Sequence, residues 1–403
     1  MTDSRGDIAI DSVLGAELEL LHRDGLYRRL REVSSAQDGS VVLDGQPVML
    51  FCSNNYLGLA NHPEVVAAAR EATLRYGASA ASSRLVSGHM SIHSALESRI
   101  ASWKRRESAL LFSTGYHANV GVITALTGAD DLIVSDELNH ASIVDGARLS
   151  RAPTAIYRHN DVDDLLRILE QHSGKRRVLV VTEAVFSMDG DLAPLTDIAL
   201  AAEKHGAWLM VDEAHSAGIF GPGGAGLVAE LGLEAQVQVH MGTLGKALGS
   251  FGAYVAGSRA LTTALINRAR PFIFTTGLPP AAAAAAVAAI DLVEREPQRA
   301  AGLLARSASL GARLRRAGLR VPQTGSQILP VIVGGATDAT DLARRLLDRG
   351  IYVAAIRPPT VPRGSSRLRI SLMATHSSQQ IAALHDALID CANDGAADAA
   401  DQS

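Results

Sequence analysis

Residues 241–252 read MGTLGKALGSFG, a lysine enclosed by glycines in a chain with few lysines to spare. The sequence has 38 Lys+Arg, yet the lysines are four: Lys104, Lys175, Lys204 and Lys246. Arginine does nearly all the basic surface work. A lysine kept at such a place invites a chemical reading, because an ε-amine can lose its proton near neutral pH and attack a carbonyl, which a guanidinium cannot. The neighbouring glycines let main chain approach a ligand closely and leave room over the amine. Upstream, residues 208–218 read WLMVDEAHSAG, a hydrophobic strand ending in Asp212 with His215 three residues on. An acid at the end of a buried strand is desolvated unless something positive meets it.

Other short apolar runs surround this pair: ESALLFSTG, DDLIVSDE, RRVLVVTEAVFS, VQVHMGTLG and GAYVAGS. Near-continuous Val, Ile and Leu strands separated by apolar-periodic helices predict an α/β fold with a mostly parallel sheet covered on both faces. In such sheets ligands bind beyond the carboxyl ends of the strands, where Asp212 and Lys246 fall. Residues 12–35 carry helical spacing and predict an N-terminal helix. SVVLDGQPVMLFCS predicts two strands about a turn at Asp44–Gly45. A long helix from about Pro279 to Glu296 leads into GSQILPVIVGG, TDLARRLLDRG, IYVAAIRPPT and SSRLRISLMA, a smaller α/β domain. The expected organisation is an N-terminal helical segment over 1–45, a large domain over 46–278 and a smaller domain over 279–390. A small-residue, acidic tail over 391–403 is expected to be disordered.

The totals exclude several classes. Hydrophobic residues at 47% and charged residues at 20% describe a globular chain, and a net charge of −4 gives no nucleic-acid footprint. Cys52 and Cys391 lie far apart and imply reduced thiols of a cytoplasmic protein. The N-terminal residues have no signal-peptide pattern, and the alanine-rich run PPAAAAAAVAAIDLV is too short to span a bilayer. A P-loop would need Gly at His240 and Ser or Thr at Ala247, so that reading fails. The glycines of GPGGAG, Gly221, Gly223 and Gly226, match a dinucleotide pattern by letter; with Pro222 inside and no strand before, they predict a flexible surface loop. A strand-end aspartate with a later lysine suits pyridoxal 5′-phosphate (PLP). Its aldehyde needs an amine, its ring nitrogen an acid, and its phosphate the free N–H groups of a helix N-terminus. Ser113, Thr114, Gly115 and Tyr116 supply such an N-terminus in FSTGYHANVG.

SNNYLGLANHP, SRLVSGHMSIHSALE, FSTGYHANVG, DELNHASIVDGARLS, TEAVFSMDGDLAPL, VDEAHSAGIFG and GTLGKALG together resemble the α-oxoamine synthases, over about residues 20–390. These fold-type I PLP enzymes join an amino acid to an acyl thioester with loss of carbon dioxide. The resemblance implies a homodimer with its site at the subunit interface, and no metal. It implies that Lys246 carries the cofactor and moves the α-proton, that Asp212 pairs with the ring nitrogen, and that His140 stacks on the ring. Ser187 and His215 would bond the phenolic oxygen; Gly115, Tyr116 and Thr243 would hold the phosphate, with Thr275 or Thr276 reaching the phosphate of the neighbouring subunit. Arg369 would grip the amino acid carboxylate. Asn54, Ser79 and Thr360 would line the acyl or cofactor pocket, and Arg28, with Tyr27 and Arg29 competing, would meet a distal carboxylate. SRLVSG and AIRPPTVPRGSSRLRISL resemble the branch that condenses L-alanine with pimeloyl-CoA, or a pimeloyl carrier-protein thioester, in biotin biosynthesis. The alternatives are a glycine C-acetyltransferase or, outside catalysis, a PLP-fold binding module.

Overall fold

The computed structural model describes residues 10–172 and 174–401. Helix α1 (Ile10–Arg23) is followed by the hairpin β1 (Ser40–Leu43) and β2 (Gln46–Leu50), then α2 (Pro63–Tyr76) and α3 (Ser91–Trp103). The central part alternates strand and helix: β3 (Ser108–Phe112), α4 (Gly115–Leu126), β4 (Leu132–Asp136), α5 (Ala141–Ser150), β5 (Thr154–Tyr157), α6 (Val162–Gln171), β6 (Val178–Glu183), α7 (Leu195–Lys204) and β7 (Trp208–Asp212). It continues through α8 (Leu227–Glu230), β8 (Val239–Thr243), β9 (Ala253–Gly257), α9 (Arg259–Arg268) and α10 (Arg270–Ile273). After α11 (Pro280–Arg295) and α12 (Gln298–Arg316) come β10 (Ile328–Gly334), α13 (Ala336–Asp348), β11 (Ile351–Tyr352), β12 (Ala354–Ile356), β13 (Ser366–Ser371) and α14 (Ser378–Asp401).

Seven strands form the central sheet in the order β3-β9-β8-β7-β6-β4-β5. The pairs from β8 to β5 are parallel, and β9 runs antiparallel to both its neighbours. Every residue of β4 and β9 is buried, and β6 and β7 are buried from their second residue onward. Sheets covered on both faces require such unbroken apolar runs. Because β4, β6, β7 and β8 are parallel, their carboxyl ends emerge along one edge and bring four loops together.

Two expectations change. Helix α1 stops at Arg23, short of the expected 35, because Gly25 at φ 64° caps it and the amides of Gly25 and Leu26 turn back to His22 and Leu21. The Asp44–Gly45 turn forms as the motif predicts, with Leu43 opposite Gln46. The hairpin joins β11 in a three-stranded sheet, so strands on both sides of the expected boundary at 45 share one sheet with a C-terminal strand. Helix α14 continues to Asp401 where a disordered tail was expected, in keeping with the alanines there, the strongest helix formers; residues 402–403 lie outside the described residues. No described helix is long and apolar enough to cross a membrane.

The GPGGAG segment is the other departure. It is not a loose surface loop: Gly224, Ala225 and Gly226 are buried over an ion pair between Lys104, which caps the end of α3, and Glu213, directly after β7. The Ala225 carbonyl accepts from Lys104 Nζ, and Glu213 Oε1 accepts from the Val228 amide at 3.0 Å and Ser216 Oγ at 3.2 Å. Gly226 has φ 106°, and a Cβ there would stand 2.2 Å from Glu213 Oε1, so glycine is required. Both charged side chains are essentially inaccessible. Removing one partner of such a pair strands the other charge, so Lys104→Ala is expected to destabilise the fold by about 3–5 kcal/mol. Urea unfolding of the variant checks this, and an unmoved midpoint would contradict it.

Candidate active site

These four loops and the start of α4, which follows β3, enclose a cavity of about 170 Å³ lined by Gly115, Tyr116, Asn119, His140, Ser142, Glu183, Asp212, Ala214, His215, Met241, Thr243 and Lys246. Seven residues singled out from sequence thus meet in one place: Gly115, Tyr116, His140, Asp212, His215, Thr243 and Lys246. Each is delivered by an element terminus. Asp212 ends β7, Thr243 ends β8 with Lys246 in the turn that follows, Gly115 opens α4, and His140 caps the start of α5.

Asp212 is solvated by protein. Its Oδ2 accepts from Asn119 Nδ2 at 2.8 Å and its Oδ1 from the Ala214 amide at 2.9 Å. Asn119 lies on α4 and donates also to Ser142 Oγ at 2.9 Å, which ties α4, α5 and β7 together. Burial pushes the Lys246 ammonium below the ordinary lysine range against the pull of Asp212 and Glu183, and Arg369 adds to the lowering. Burial also holds His215 well below the usual histidine range, with Lys246 and Arg369 acting in the same direction, so it enters as a neutral imidazole. Its Nδ1 is 2.7 Å from the hydroxyl of Tyr56, a fully buried side chain.

Tyr56 connects the cavity to Arg369 on β13, whose Nη2 donates to the Tyr56 hydroxyl at 3.2 Å. The same guanidinium donates to Asn54 Oδ1 at 3.3 Å, to Ser371 Oγ at 2.9 Å and to the Ser187 carbonyl. Asn54 and Ser187 therefore adjoin the site through Arg369 without lining the cavity.

At the other end, Thr114 caps α4 by accepting from the His117 amide at 3.1 Å, which leaves the first turn's remaining amides pointing outward. Thr243 Oγ1 is buried there with no hydrogen-bond partner among the described residues. A Cβ on Gly115 would come 2.8 Å from Thr243 Cγ2, so the helix start and this hydroxyl press together. An orphaned hydroxyl at a helix N-terminus suits an anion. The chemistry of the donor set fits PLP: that cradle for phosphate, the Asp212 carboxylate for a ring nitrogen, and the Lys246 amine for an aldehyde.

The remaining sequence candidates fall elsewhere. Thr275 and Thr276 lie in a separate small pocket with Arg84 and Ser113, where Thr276 bridges to Ser83. Ser79 is exposed and accepts from the Ala81 amide within its own turn. Thr360 is exposed in a turn closed by its amide on the Arg357 carbonyl. Arg28 is exposed; burial, and then the nearby Arg28 charge, lower the affinity of Arg357 for a proton, while Arg357 holds the carbonyls of Gly25 and Tyr27. Cys52, near Arg369, is pushed by burial up to about 12 and is an inert thiol.

Sequence reasoning missed Asn119, Ser142, Glu183 and Tyr56. Asn119 and Glu183 stand one residue from apolar positions in quoted motifs, and a polar group at a core position was the available signal. It also missed His159, which braces the loop carrying Ser187. The imidazole lies between Asp136 Oδ1 at 2.9 Å and Asp191 Oδ2 at 2.8 Å, edge-on to Phe186. Burial opposes the charged ring, yet the two carboxylates carry His159 up to about 10.

The aminotransferase class I and II family model matches residues 46–388. The 8-amino-7-oxononanoate synthase of Anaeromyxobacter sp. (strain K) is 53% identical over 368 residues, 91% of this chain and 92% of that protein. That of Geobacter sulfurreducens is 52% identical over 370 residues, 91% and 95% of the two chains. The chain belongs to the 8-amino-7-oxononanoate synthase family. Among solved structures, a serine palmitoyltransferase from S. paucimobilis with bound PLP–myriocin superposes with a TM-score of 0.90 at 33% identity, covering 95% of this chain and 97% of that one. An 8-amino-7-oxononanoate synthase from Francisella tularensis gives 0.74 at 28% identity, covering 85% and 97%. The fold is that of the fold-type I transferases, and the enzyme is a PLP-dependent acyltransferase.

Because His159 binds its proton more tightly folded than the ordinary 6.5, its stabilisation is full below about 6.5 and is lost as pH rises through about 10. His159→Gln is therefore expected to be less stable than the native enzyme at pH 6, with the gap closing toward pH 10. Urea unfolding at stepped pH reads this; a gap that stays constant would exclude the charged-clamp role.

Proposed function

We propose that the enzyme condenses L-alanine with a pimeloyl thioester, carried by CoA or a carrier protein, as a cytoplasmic step of biotin synthesis. The products are 8-amino-7-oxononanoate, the free thiol and carbon dioxide. The names of the relatives support the product. The observation that carries the amino acid half is Arg369, a guanidinium 6% exposed whose protein partners are all neutral oxygens. Two residues away, Arg367 is paired with Asp189. A buried cation without a counter-charge is costly, and a substrate carboxylate supplies the missing charge through a bidentate pair.

PLP held in this pocket supplies an electron sink for negative charge at the amino acid α-carbon. The protein's part is placement and proton movement. Arg369 sets the carboxylate, and Tyr56 locks that guanidinium to His215. With Nδ1 engaged by Tyr56, His215 keeps Nε2 free of that bond and would offer it to the cofactor's phenolic oxygen, the role the resemblance also gives to Ser187. Lys246, whose charged form burial disfavours, takes the α-proton as general base, a role worth about 10²–10⁴-fold. His140 and Ala214 would confine the ring, and Gly115, Tyr116 and Thr243 would hold the phosphate.

Arg28 beside Arg357 gives two like charges on the outer face, a setting that favours the distal carboxylate of a pimeloyl chain. The assembly we infer is a homodimer. No residue of α1 is buried, and Ile10, Val13, Leu14, Leu18, Leu20 and Leu21 are all exposed on it. A helix this apolar calls for a covering partner. Thr275 and Thr276 would then serve the neighbouring subunit's phosphate.

Thiol release by the PLP-loaded enzyme across a grid of amino acids and acyl-CoAs tests the proposal. We expect release with L-alanine and pimeloyl-CoA, with 8-amino-7-oxononanoate formed in step. Preference for glycine with acetyl-CoA would overturn the substrate assignment while keeping the chemistry. In the same assay Arg369→Gln is expected to raise KM for alanine about 10–100-fold, the worth of one or two hydrogen bonds to a charged group, with little change for the thioester. Equal shifts for both substrates would remove Arg369 from the carboxylate.

A further inference from the structure

Two carboxyl groups face the cavity, and PLP's ring nitrogen accounts for one of them. Glu183 ends β6 in register with Asp212 at the end of β7, and it is 3% exposed. The two are treated differently by the protein. Asp212 receives a donor on each oxygen, from Asn119 and from the Ala214 amide. Glu183 Oε1 is buried with no hydrogen-bond partner among the described residues. Its carboxyl group faces the main-chain N–H of His140. That N–H belongs to a loop already fastened to β6 by Asn139, whose Nδ2 donates to the Val181 carbonyl at 2.8 Å.

We propose that Glu183 is a positioning residue that stands in the cofactor pocket as a neutral carboxylic acid, holding the His140 main chain and leaving the pocket's carboxylate charge on Asp212. Two ionised carboxyls on adjacent strand ends would repel in a site where burial has removed the water that screens them. Hydrogen-bond supply distinguishes the two: Asp212 receives a donor on each oxygen, whereas the scarcity of donors disfavours the ionised form at Glu183. The groups facing Glu183 are Asp212 from β7, Lys246 from the turn after β8, Asp136 from β4 and the His140 amide from the start of α5. Burial and the Asp212 charge push Glu183 well above the ordinary carboxyl range; Lys246 and the His140 amide oppose them. The consequence for function is that one carboxylate, Asp212, would be left to meet the ring nitrogen, with the His140 main chain held in place. The inference rests on the pocket's holding PLP.

Glu183→Gln imitates the protonated acid in shape and charge, and Glu183→Ala removes it. With the holoenzyme, we expect E183Q to bind PLP within about threefold of the native Kd. Its pH-dependent change in bound-cofactor absorbance should have a midpoint within about 0.3 unit of native. E183A should weaken PLP binding about tenfold, the loss of one buried hydrogen bond with its neighbour left unsatisfied. Difference infrared spectra should show a protonated-carboxyl stretch in the native enzyme that is missing from E183Q. A midpoint displaced by a unit or more in E183Q, or no such band in the native enzyme, would overturn the neutral acid. If E183A fails to fold, the E183Q titration and the infrared band still decide. Failure of the native protein to bind PLP would overturn the cofactor reading, and this inference with it.

Discussion

A carboxylate at the end of a strand buried on both faces has to be solvated by the protein itself, and the rest of the site follows from how Asp212 meets that demand. Its two donors come from different directions, a side-chain amide on α4 and a main-chain amide just past its own strand. Reaching the first requires α4 to lie across the carboxyl end of the sheet. That placement brings the N-terminus of α4 beside Thr243 and sets the anion cradle at a fixed place relative to the carboxylate. The same asparagine reaches Ser142, so the helix that begins at His140 is held by the same bond network.

Charge is distributed in the interior with the same economy of partners. Behind Asp212, Glu213 is matched by Lys104 and enclosed by the glycine-rich segment, so its charge is neutralised away from the cavity. Beside it, His159 draws two carboxylates together under the loop that carries Ser187 and Asp189. Inside the cavity the balance is left open. Lys246 is desolvated, His215 is neutral, and Arg369 meets only neutral oxygens among the described residues. Buried polar groups are ordinarily satisfied, so an uncompensated cation, an orphaned hydroxyl and an unpartnered carboxyl oxygen gathered in one cavity describe a place built for a ligand.

The legible part of this site lay in local patterns. A lysine among glycines and an aspartate closing an apolar strand are visible in short stretches of sequence, as is a small-residue helix start, because each role is set by one element's own terminus. Residues whose role depends on crossing between elements were harder to read. Tyr56 lies in a quoted motif but matters through His215 and Arg369, far away in the chain. The GPGGAG segment reads as a loose loop until Lys104 and Glu213 are placed beneath it, and Gly226 proves to be a steric requirement. Ser79 and Thr360 carried the right motif context but are exposed outside the cavity.

By itself the sequence determined the α/β class, the parallel core and the place of Lys246 and Asp212 at the carboxyl ends of strands, since strand burial and strand-end chemistry are written in local hydrophobic runs and the residues that end them. Tertiary structure alone decided that the N-terminal hairpin would join the C-terminal strand β11 and that Arg369 would be buried with no counter-charge among the described residues. It also decided that Glu183 and Asp212 would stand side by side with unequal donors. Those outcomes depend on which strands become neighbours, and hydrogen-bond supply at a strand end is a property of the neighbour, not of the strand.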